Sequence, residues 1–136
     1  MTATLFSESP SQPVTVTEQN LKEVLERPGI VVLDWWAKWC RPCVTFAPTF
    51  AAAAARHPDL FWGKINTEVE RGLAHAFGIQ SIPTLMIFRD GVMIFAEPGM
   101  VPAEGLDQLA TAAREVDMDE VRRKIAARAA EDAART

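Results

Sequence analysis

The sequence IVVLDWWAKWCRPC, residues 30–43, joins an apolar run to the only two cysteines of a 136-residue chain. The run Ile30–Trp36 is apolar except for Asp34, which predicts a buried central β-strand. Cys40 and Cys43 lie three positions apart, so on a helix that begins near Cys40 their sulfurs share one face and can bond to each other. The stretch therefore predicts a redox-active cysteine pair where a strand gives way to a helix.

The two residues between the cysteines indicate which sulfur attacks. Pro42 suits the first turn of a helix, because its ring presets a helical backbone angle and its missing N–H would have had no partner there. Cys40 then faces unpaired N–H groups at the positive end of the helix, which favour its thiolate, and Arg41 adds a positive charge. We therefore expect Cys40 to be the exposed nucleophile and Cys43, one turn further in, to be the resolving thiol.

Metal binding and a purely structural disulfide are the competing interpretations of the pair. His57 follows Cys43 at a spacing that begins like a zinc site, but His75 lies far outside the short spacing that a second histidine ligand needs. A disulfide that closes so small a loop restricts the unfolded chain very little. We therefore predict redox chemistry and no metal site.

Composition excludes several other classes of protein. The chain has 18 acidic and 14 basic residues, a net charge of −4, and no basic block, so no nucleic-acid partner is expected. The apolar run is too short to span a membrane. Residues 1–13 lack the basic start and apolar stretch of a secretory signal, so we expect a loose lead-in and a cytoplasmic protein. A reducing cytosol is also where such a pair works as a redox couple.

The rest of the sequence predicts alternating strands and helices, an α/β protein. Apolar periodicity and turn residues place strands at residues 14–17, 30–36, 60–66, 84–88 and 92–96, and helices at 18–27, 42–57, 68–77 and 102–116. The last two strands form a hairpin across the turn at residues 89–91. Parallel strands with crossover helices, followed by an antiparallel hairpin, imply a mixed central sheet covered on both faces.

A C-terminal extension follows this domain. Residues 117–136 begin with a plausible capping pattern and carry a thin apolar stripe, which predicts a further helix. The helix either packs on the domain or projects into solvent, where it would serve a partner or self-association. The predicted organisation is thus a flexible segment 1–13, a domain 14–116 and an extension 117–136.

Residues 14–116 closely resemble a thioredoxin. The stretch from Asp34 to Cys43 resembles the strand and active-site helix of that family, and Pro48 matches its helix proline. The sequence SIPT at residues 81–84 is similar to the loop that carries the family's cis-proline. The turn at residues 89–91 and Gly99, a glycine that borders the substrate groove, complete the match.

The resemblance implies a three-layer α/β/α fold and roles for particular residues. Asp34 is costly to bury when ionised, so we expect a raised pKa, and the family assigns it the proton of Cys43. Lys64 is expected near this acid, where it tunes the protonation, although a surface lysine is the alternative. The expected substrate groove surrounds Cys40 and consists of Trp39, Arg41, Pro42, Ile82, Pro83 and Gly99.

The implied activity is that of a general protein disulfide reductase. Cys40 would attack a disulfide of a client protein and Cys43 would resolve the mixed disulfide. We expect no bound cofactor, a separate thioredoxin reductase as the source of electrons, and a monomer.

Arg41 departs from the family pattern, because most thioredoxins have glycine there. A cation beside Cys40 stabilises the thiolate and makes the pair more oxidising, or it provides a contact for acidic clients. Two alternatives therefore stay open: a disulfide oxidase or isomerase, and a module that binds through the groove without redox turnover.

Overall fold

The computed structural model describes residues 12–135. Within this range the chain forms five strands, β1 Val14–Thr15, β2 Ile30–Trp36, β3 Phe61–Asn66, β4 Thr84–Arg89 and β5 Val92–Pro98. The same range contains five helices, α1 Leu21–Leu25, α2 Arg41–Arg56, α3 Arg71–Ala76, α4 Ala103–Glu115 and α5 Met118–Arg135. Most of the predicted lead-in, residues 1–11, lies outside the described residues.

The strands form one mixed sheet in the order β1-β3-β2-β4-β5. The strand β3 runs parallel to both β1 and β2, whereas β4 runs antiparallel to β2 and to β5. The apolar run of residues 30–36 therefore lies in the centre of the sheet, as predicted, because only a strand flanked on both sides and covered on both faces needs to be apolar throughout.

Two hydrophobic clusters cover the two faces of the sheet. Side chains alternate along β2, so Val32 packs beneath α2 and α4, whereas Leu33 and Trp35 pack with α1 and the segment around α3. The predicted three-layer α/β/α arrangement is confirmed. The same alternation places Asp34 on the face of Val32, beneath the helix that begins at the cysteines.

Two helices begin three residues later than predicted, and an asparagine side chain explains each difference. The Asn20 amide accepts a hydrogen bond from Thr17 N–H at 2.8 Å and donates to the Thr15 carbonyl at 3.1 Å. The side-chain oxygen Oδ1 of Asn66 accepts a hydrogen bond from Glu68 N–H at 2.9 Å. These local bonds hold turns where the periodicity predicted helix, so α1 begins at Leu21 and α3 at Arg71.

The extension forms the predicted helix, α5. Its first residue, Met118, is buried, whereas residues 122–135 are exposed, so most of the helix extends away from the sheet. Arg89 holds the C-terminal end of the preceding helix, α4: its Nη1 donates to the carbonyl oxygens of Ala113, Arg114 and Val116 at 3.0, 3.2 and 2.7 Å. Between residues 12 and 135, no helix is both long enough and apolar enough to cross a lipid bilayer.

Candidate active site

The cysteine pair forms the N-terminus of α2. Cys40 is the N-cap residue, Arg41 and Pro42 open the helix, and Cys43 lies on its first turn. The two cysteines form a disulfide with their Cα atoms 5.2 Å apart. Cys43 N–H donates to Cys40 Sγ at 3.2 Å, so a helix-terminal N–H that has no carbonyl partner points at the first sulfur.

Both sulfurs are more buried than the sequence indicated. Cys43 is fully buried and Cys40 is only 3% exposed, so the expected order is correct but the prediction of an exposed Cys40 is wrong for the disulfide form. The reason is a contact from a distant segment: Ile82 and Trp36 pack against the cysteines. The Ile82 carbonyl oxygen lies 3.7 Å from Cys40 Sγ.

Asp34 is completely buried in the central strand. Among the described residues, none donates a hydrogen bond to either carboxyl oxygen. The nearest cation is Lys64 of the neighbouring strand, with Nζ 3.9 Å from Asp34 Oδ2. Burial raises the pKa of Asp34 to about 7, and the charge of Lys64 opposes this rise. The carboxyl can therefore take up and release a proton near neutral pH.

A cis-proline loop faces the cysteines. The Ile82–Pro83 peptide bond is cis, which confirms the prediction for this loop. Pro83 is buried, and its carbonyl oxygen accepts a hydrogen bond from Gly99 N–H at 2.8 Å. Gly99 has a φ of +106°, which glycine adopts without strain. The backbone conformation of this bend therefore explains why a glycine occupies the position. The cis-proline loop and the end of β5 thus lie side by side next to Cys40.

An open cavity of about 260 Å³ adjoins Trp39 and Ile82. Trp39 is 69% exposed, which supports its assignment to the surface rather than the core. Arg41, Pro42 and Gly99 are exposed near the sulfurs but do not line this cavity. The cavity is also lined by Ser81, which belongs to the predicted cis-proline loop, and by four residues that the sequence did not indicate, Thr67, Ala74, Ile79 and Gln80. Apart from Ile79, these side chains are small or polar, and only the packing of α3 against the cis-proline loop brings them together.

The zinc alternative does not fit the arrangement of the histidines. His57 terminates α2 at the end opposite the cysteines, where its Nε2 lies 2.7 Å from Asp107 Oδ1 and its Nδ1 lies 2.9 Å from Arg114 Nη2. An arginine only donates, so Nδ1 accepts and both ring nitrogens are occupied. In the described part of the chain, no group of three or more potential ligands is arranged to hold a metal ion.

Comparisons with a family model, with related sequences and with solved structures all match thioredoxins. The family model for thioredoxin matches residues 12–112. A Streptomyces coelicolor protein described as thioredoxin 2 is 46% identical over 113 residues, which cover 83% of this chain and 84% of the relative. Thioredoxin 1 of Synechococcus elongatus is 42% identical over 94 residues, covering 68% and 88%. A mutant thioredoxin from Halobacterium salinarum superimposes with a TM-score of 0.74 and 28% identity, covering 80% of this chain and 96% of that one.

The fold and the cysteine pair define a thiol–disulfide oxidoreductase. The chain belongs to the thioredoxin family. The predicted activity, that of a general protein disulfide reductase, is confirmed by this membership together with a CxxC pair at disulfide distance.

Proposed function

We propose that Cys40 is the attacking thiol and Cys43 the resolving thiol in the reduction of client disulfides. The Cys40 thiolate bonds to one sulfur of the client disulfide, and the other client sulfur leaves and takes up a proton. The Cys43 thiolate then attacks Cys40 Sγ, which closes the Cys40–Cys43 bond and releases the second client sulfur. Two electrons thus pass from the pair to the client, and the pair ends oxidised.

The observation that carries this assignment is the geometry at the start of α2. Cys43 N–H points at Cys40 Sγ from 3.2 Å, and a hydrogen bond from an N–H stabilises a thiolate more than a thiol. Cys43 has no exposed surface, whereas Cys40 retains a little. A client sulfur therefore reaches Cys40 first, and Cys43 acts only within the mixed disulfide.

We propose that Asp34 is the general base that accepts the proton of the Cys43 thiol. A thiol must lose its proton before it attacks, and a general base works best when its pKa lies near the working pH. The pKa of about 7 that burial gives Asp34 meets this condition, and Asp34 lies beneath the helix that carries Cys43. Lys64 is a positioning residue in this proposal, because its charge limits how far burial raises the pKa of Asp34.

The client binds in the groove around Cys40. The Ile82 backbone lies beside Cys40 Sγ, and Pro83 presents no N–H, so an extended client segment can pair with Ile82 as an added strand. Trp39 offers an exposed apolar surface on one side and Gly99 borders the other. Arg41 and Pro42 lie on the exposed first turn of α2, where they contact the client as it approaches.

Thioredoxins act on proteins with disulfides and are reduced by a thioredoxin reductase. We propose that this chain likewise receives electrons from a separate reductase, needs no bound cofactor and works in the cytoplasm as a monomer. The division into a domain at residues 14–116 and an extension at 117–136 is supported by the exposure of α5 beyond its first turn. The cytoplasmic location is supported by the cysteine content: the sequence has no cysteine besides the redox pair, and such a pair works as a redox couple in a reducing compartment.

One observation favours a second candidate, a disulfide oxidase or isomerase. Arg41 lies at the start of α2 directly after Cys40, where a cation stabilises the thiolate and hence the reduced form of the pair. The equilibrium potential against glutathione separates the two functions. A value near that of thioredoxins, about −270 mV, supports the reductase, and a value near −120 mV supports an oxidase.

The test of the cysteine roles is a pair of matched variants, Cys43→Ser and Cys40→Ser. We expect Cys43→Ser to accumulate mixed disulfides with proteins from a lysate, because the resolving thiol is missing. Cys40→Ser should trap nothing and reduce nothing. Trapping by Cys40→Ser instead would reverse the two roles, and full biological function of Cys40→Ser would support the module that binds without turnover.

A further inference from the structure

The indole of Trp36 lies between the cysteines and the charged pair of the sheet. Its ring packs against the cluster formed by Ala37, Cys40 and Cys43. Lys64 Nζ lies 4.6 Å from the centroid of the same ring, a distance at which the face of an indole attracts an ammonium group. Trp36 therefore contacts both the redox pair and the cation that tunes Asp34.

We propose that Trp36 is a positioning residue that holds the Lys64 ammonium beside Asp34 through a cation–π interaction. The proposal rests on the function assigned to Asp34 above, and it adds a residue that acts on Asp34 only through Lys64.

The geometry explains why Lys64 needs such support. Lys64 Nζ is 3.9 Å from Asp34 Oδ2, and the carboxyl receives no hydrogen bond from any described residue, so the pair is held by charge alone. The Lys64 side chain is 21% exposed, and a lysine in that position ordinarily extends its ammonium into water. The ring face offsets part of the lost hydration and keeps the ammonium within reach of the carboxyl.

The backbone of Trp36 is fixed, so the ring has a rigid base. The Trp36 carbonyl oxygen accepts hydrogen bonds from Thr67 N–H at 2.8 Å and from Thr67 Oγ1 at 3.2 Å. Trp36 and Lys64 also line one cavity of about 260 Å³, which gives the ammonium an open path to solvent when the ring is removed.

The other titratable groups around this pair are few. On β4, the residue paired with Asp34 is Leu85, which carries no charge. Glu70 lines the same cavity as Lys64, and its Oε1 accepts a hydrogen bond from Glu18 N–H at 3.0 Å. The cysteines at the start of α2 do not titrate while they form a disulfide. A titration of Asp34 in the oxidised protein therefore reports mainly on Lys64.

The test is a double-mutant cycle between Trp36→Leu and Lys64→Gln, read out by the Asp34 carboxyl. The midpoint of its titration in the oxidised protein is followed by carbon NMR. We expect Trp36→Leu to raise the midpoint by about half to one pH unit, roughly a three- to tenfold increase in proton affinity, because the ammonium moves into water. Lys64→Gln should raise it at least as much, and Trp36→Leu should add nothing to Lys64→Gln. Trp36→Phe, which keeps a ring face, should restore most of the wild-type midpoint.

Two outcomes overturn the proposal. One is a midpoint in Trp36→Leu that is unchanged or lowered, a lowering being the sign expected if the indole acts by excluding water, because burial raises the pKa of Asp34. The other is an equal rise in the Lys64→Gln background, which would mean that the indole acts on Asp34 without Lys64. Should the variants fail to fold, the wild-type spectrum still decides, because the ring must shift the Lys64 ε-methylene protons upfield. The pH dependence of client reduction separates this proposal from the proposed function. A Trp36→Leu variant whose carboxyl midpoint moves while its rate profile does not would support the role of Trp36 and contradict that of Asp34.

Discussion

Replacement of Asp34 by asparagine should change how the stability of the oxidised protein depends on pH. Asparagine keeps the shape of the side chain and removes its charge. Burial raises the pKa of Asp34 from 3.8 to about 7, although Lys64 lowers it, so the folded protein favours the protonated carboxyl. The wild-type protein should therefore lose stability when the pH rises and this group ionises, and the variant should not.

The sign and the size follow from the two pKa values. Below pH 3.8 the carboxyl of Asp34 is protonated in both the folded and the unfolded chain. Between 3.8 and about 7 the unfolded chain has lost a proton that the folded chain keeps, so the free energy of unfolding falls as the pH rises. Above about 7 the loss is complete. Each pH unit of this interval corresponds to about 1.4 kcal/mol, which gives a total loss of about 4 kcal/mol.

The assay is urea unfolding of the oxidised protein at pH 4 and pH 8, monitored by tryptophan fluorescence. The advantage of Asp34→Asn over wild type should grow by about 4 kcal/mol between these two conditions. The unpaired amide of the variant carries a cost of about 1–3 kcal/mol, which is the same at both pH values and cancels in the comparison.

Asp59→Asn provides a matched control, because the fold shifts the pKa of Asp59 in the direction opposite to that of Asp34. Hydrogen bonds from Arg114 lower the pKa of Asp59, so its ionised form stabilises the fold above its ordinary pKa, and that stability is lost only as the pH falls. This exposed pair contributes at most about 1 kcal/mol, so the variant should be slightly less stable at both pH values. A growth of less than about 1 kcal/mol for Asp34→Asn, or a decrease, would refute the reasoning about burial.

Three further changes test other parts of the structure. Arg41→Gly should make the cysteine pair more reducing by about 5–20 mV against glutathione, because an exposed cation stabilises the thiolate by about 0.2–1 kcal/mol. A shift in the oxidising direction would contradict this. Arg89→Leu removes the donor that binds three carbonyl oxygens at the C-terminal end of α4 and should lower the free energy of urea unfolding by about 1–3 kcal/mol. Removal of residues 118–136 exposes the surface that Met118 covers and should lower the free energy of unfolding by about 1–2 kcal/mol. The rate of insulin disulfide reduction should stay unchanged, and a slower rate would assign α5 a role in catalysis.

The sequence predicted those parts of the molecule that depend on neighbouring residues. The apolar run of residues 30–36 indicated the central strand, and Pro42 after a cysteine indicated the helix that begins there. Both signals are local, because strand burial and the first helical turn are set within a few residues. The starts of α1 and α3 were predicted too early because side-chain hydrogen bonds from Asn20 and Asn66 competed with the helix.

The sequence named candidate site residues but not the surroundings of those residues. Residue identity and order indicated Asp34, Cys40 and Cys43, but the burial of Cys40 depends on Ile82, a residue of a different loop. Part of the lining of the cavity beside Trp39 has no sequence signal, because side chains such as Thr67, Ala74 and Gln80 occur equally often on ordinary surfaces.

By itself, the sequence determined the order of strands and helices, the placement of the cysteines at a helix N-terminus and a carboxylate within an apolar strand. Only the tertiary structure decided that Asp34 has no hydrogen-bond partner among the described residues, that Lys64 lies 3.9 Å away and that Trp36 faces this lysine. The register between β2 and β3 sets these distances, and the packing of α2 removes the water. The protonation of the site is therefore a property of the packed sheet, since no single segment contains both the buried charge and the groups that tune it.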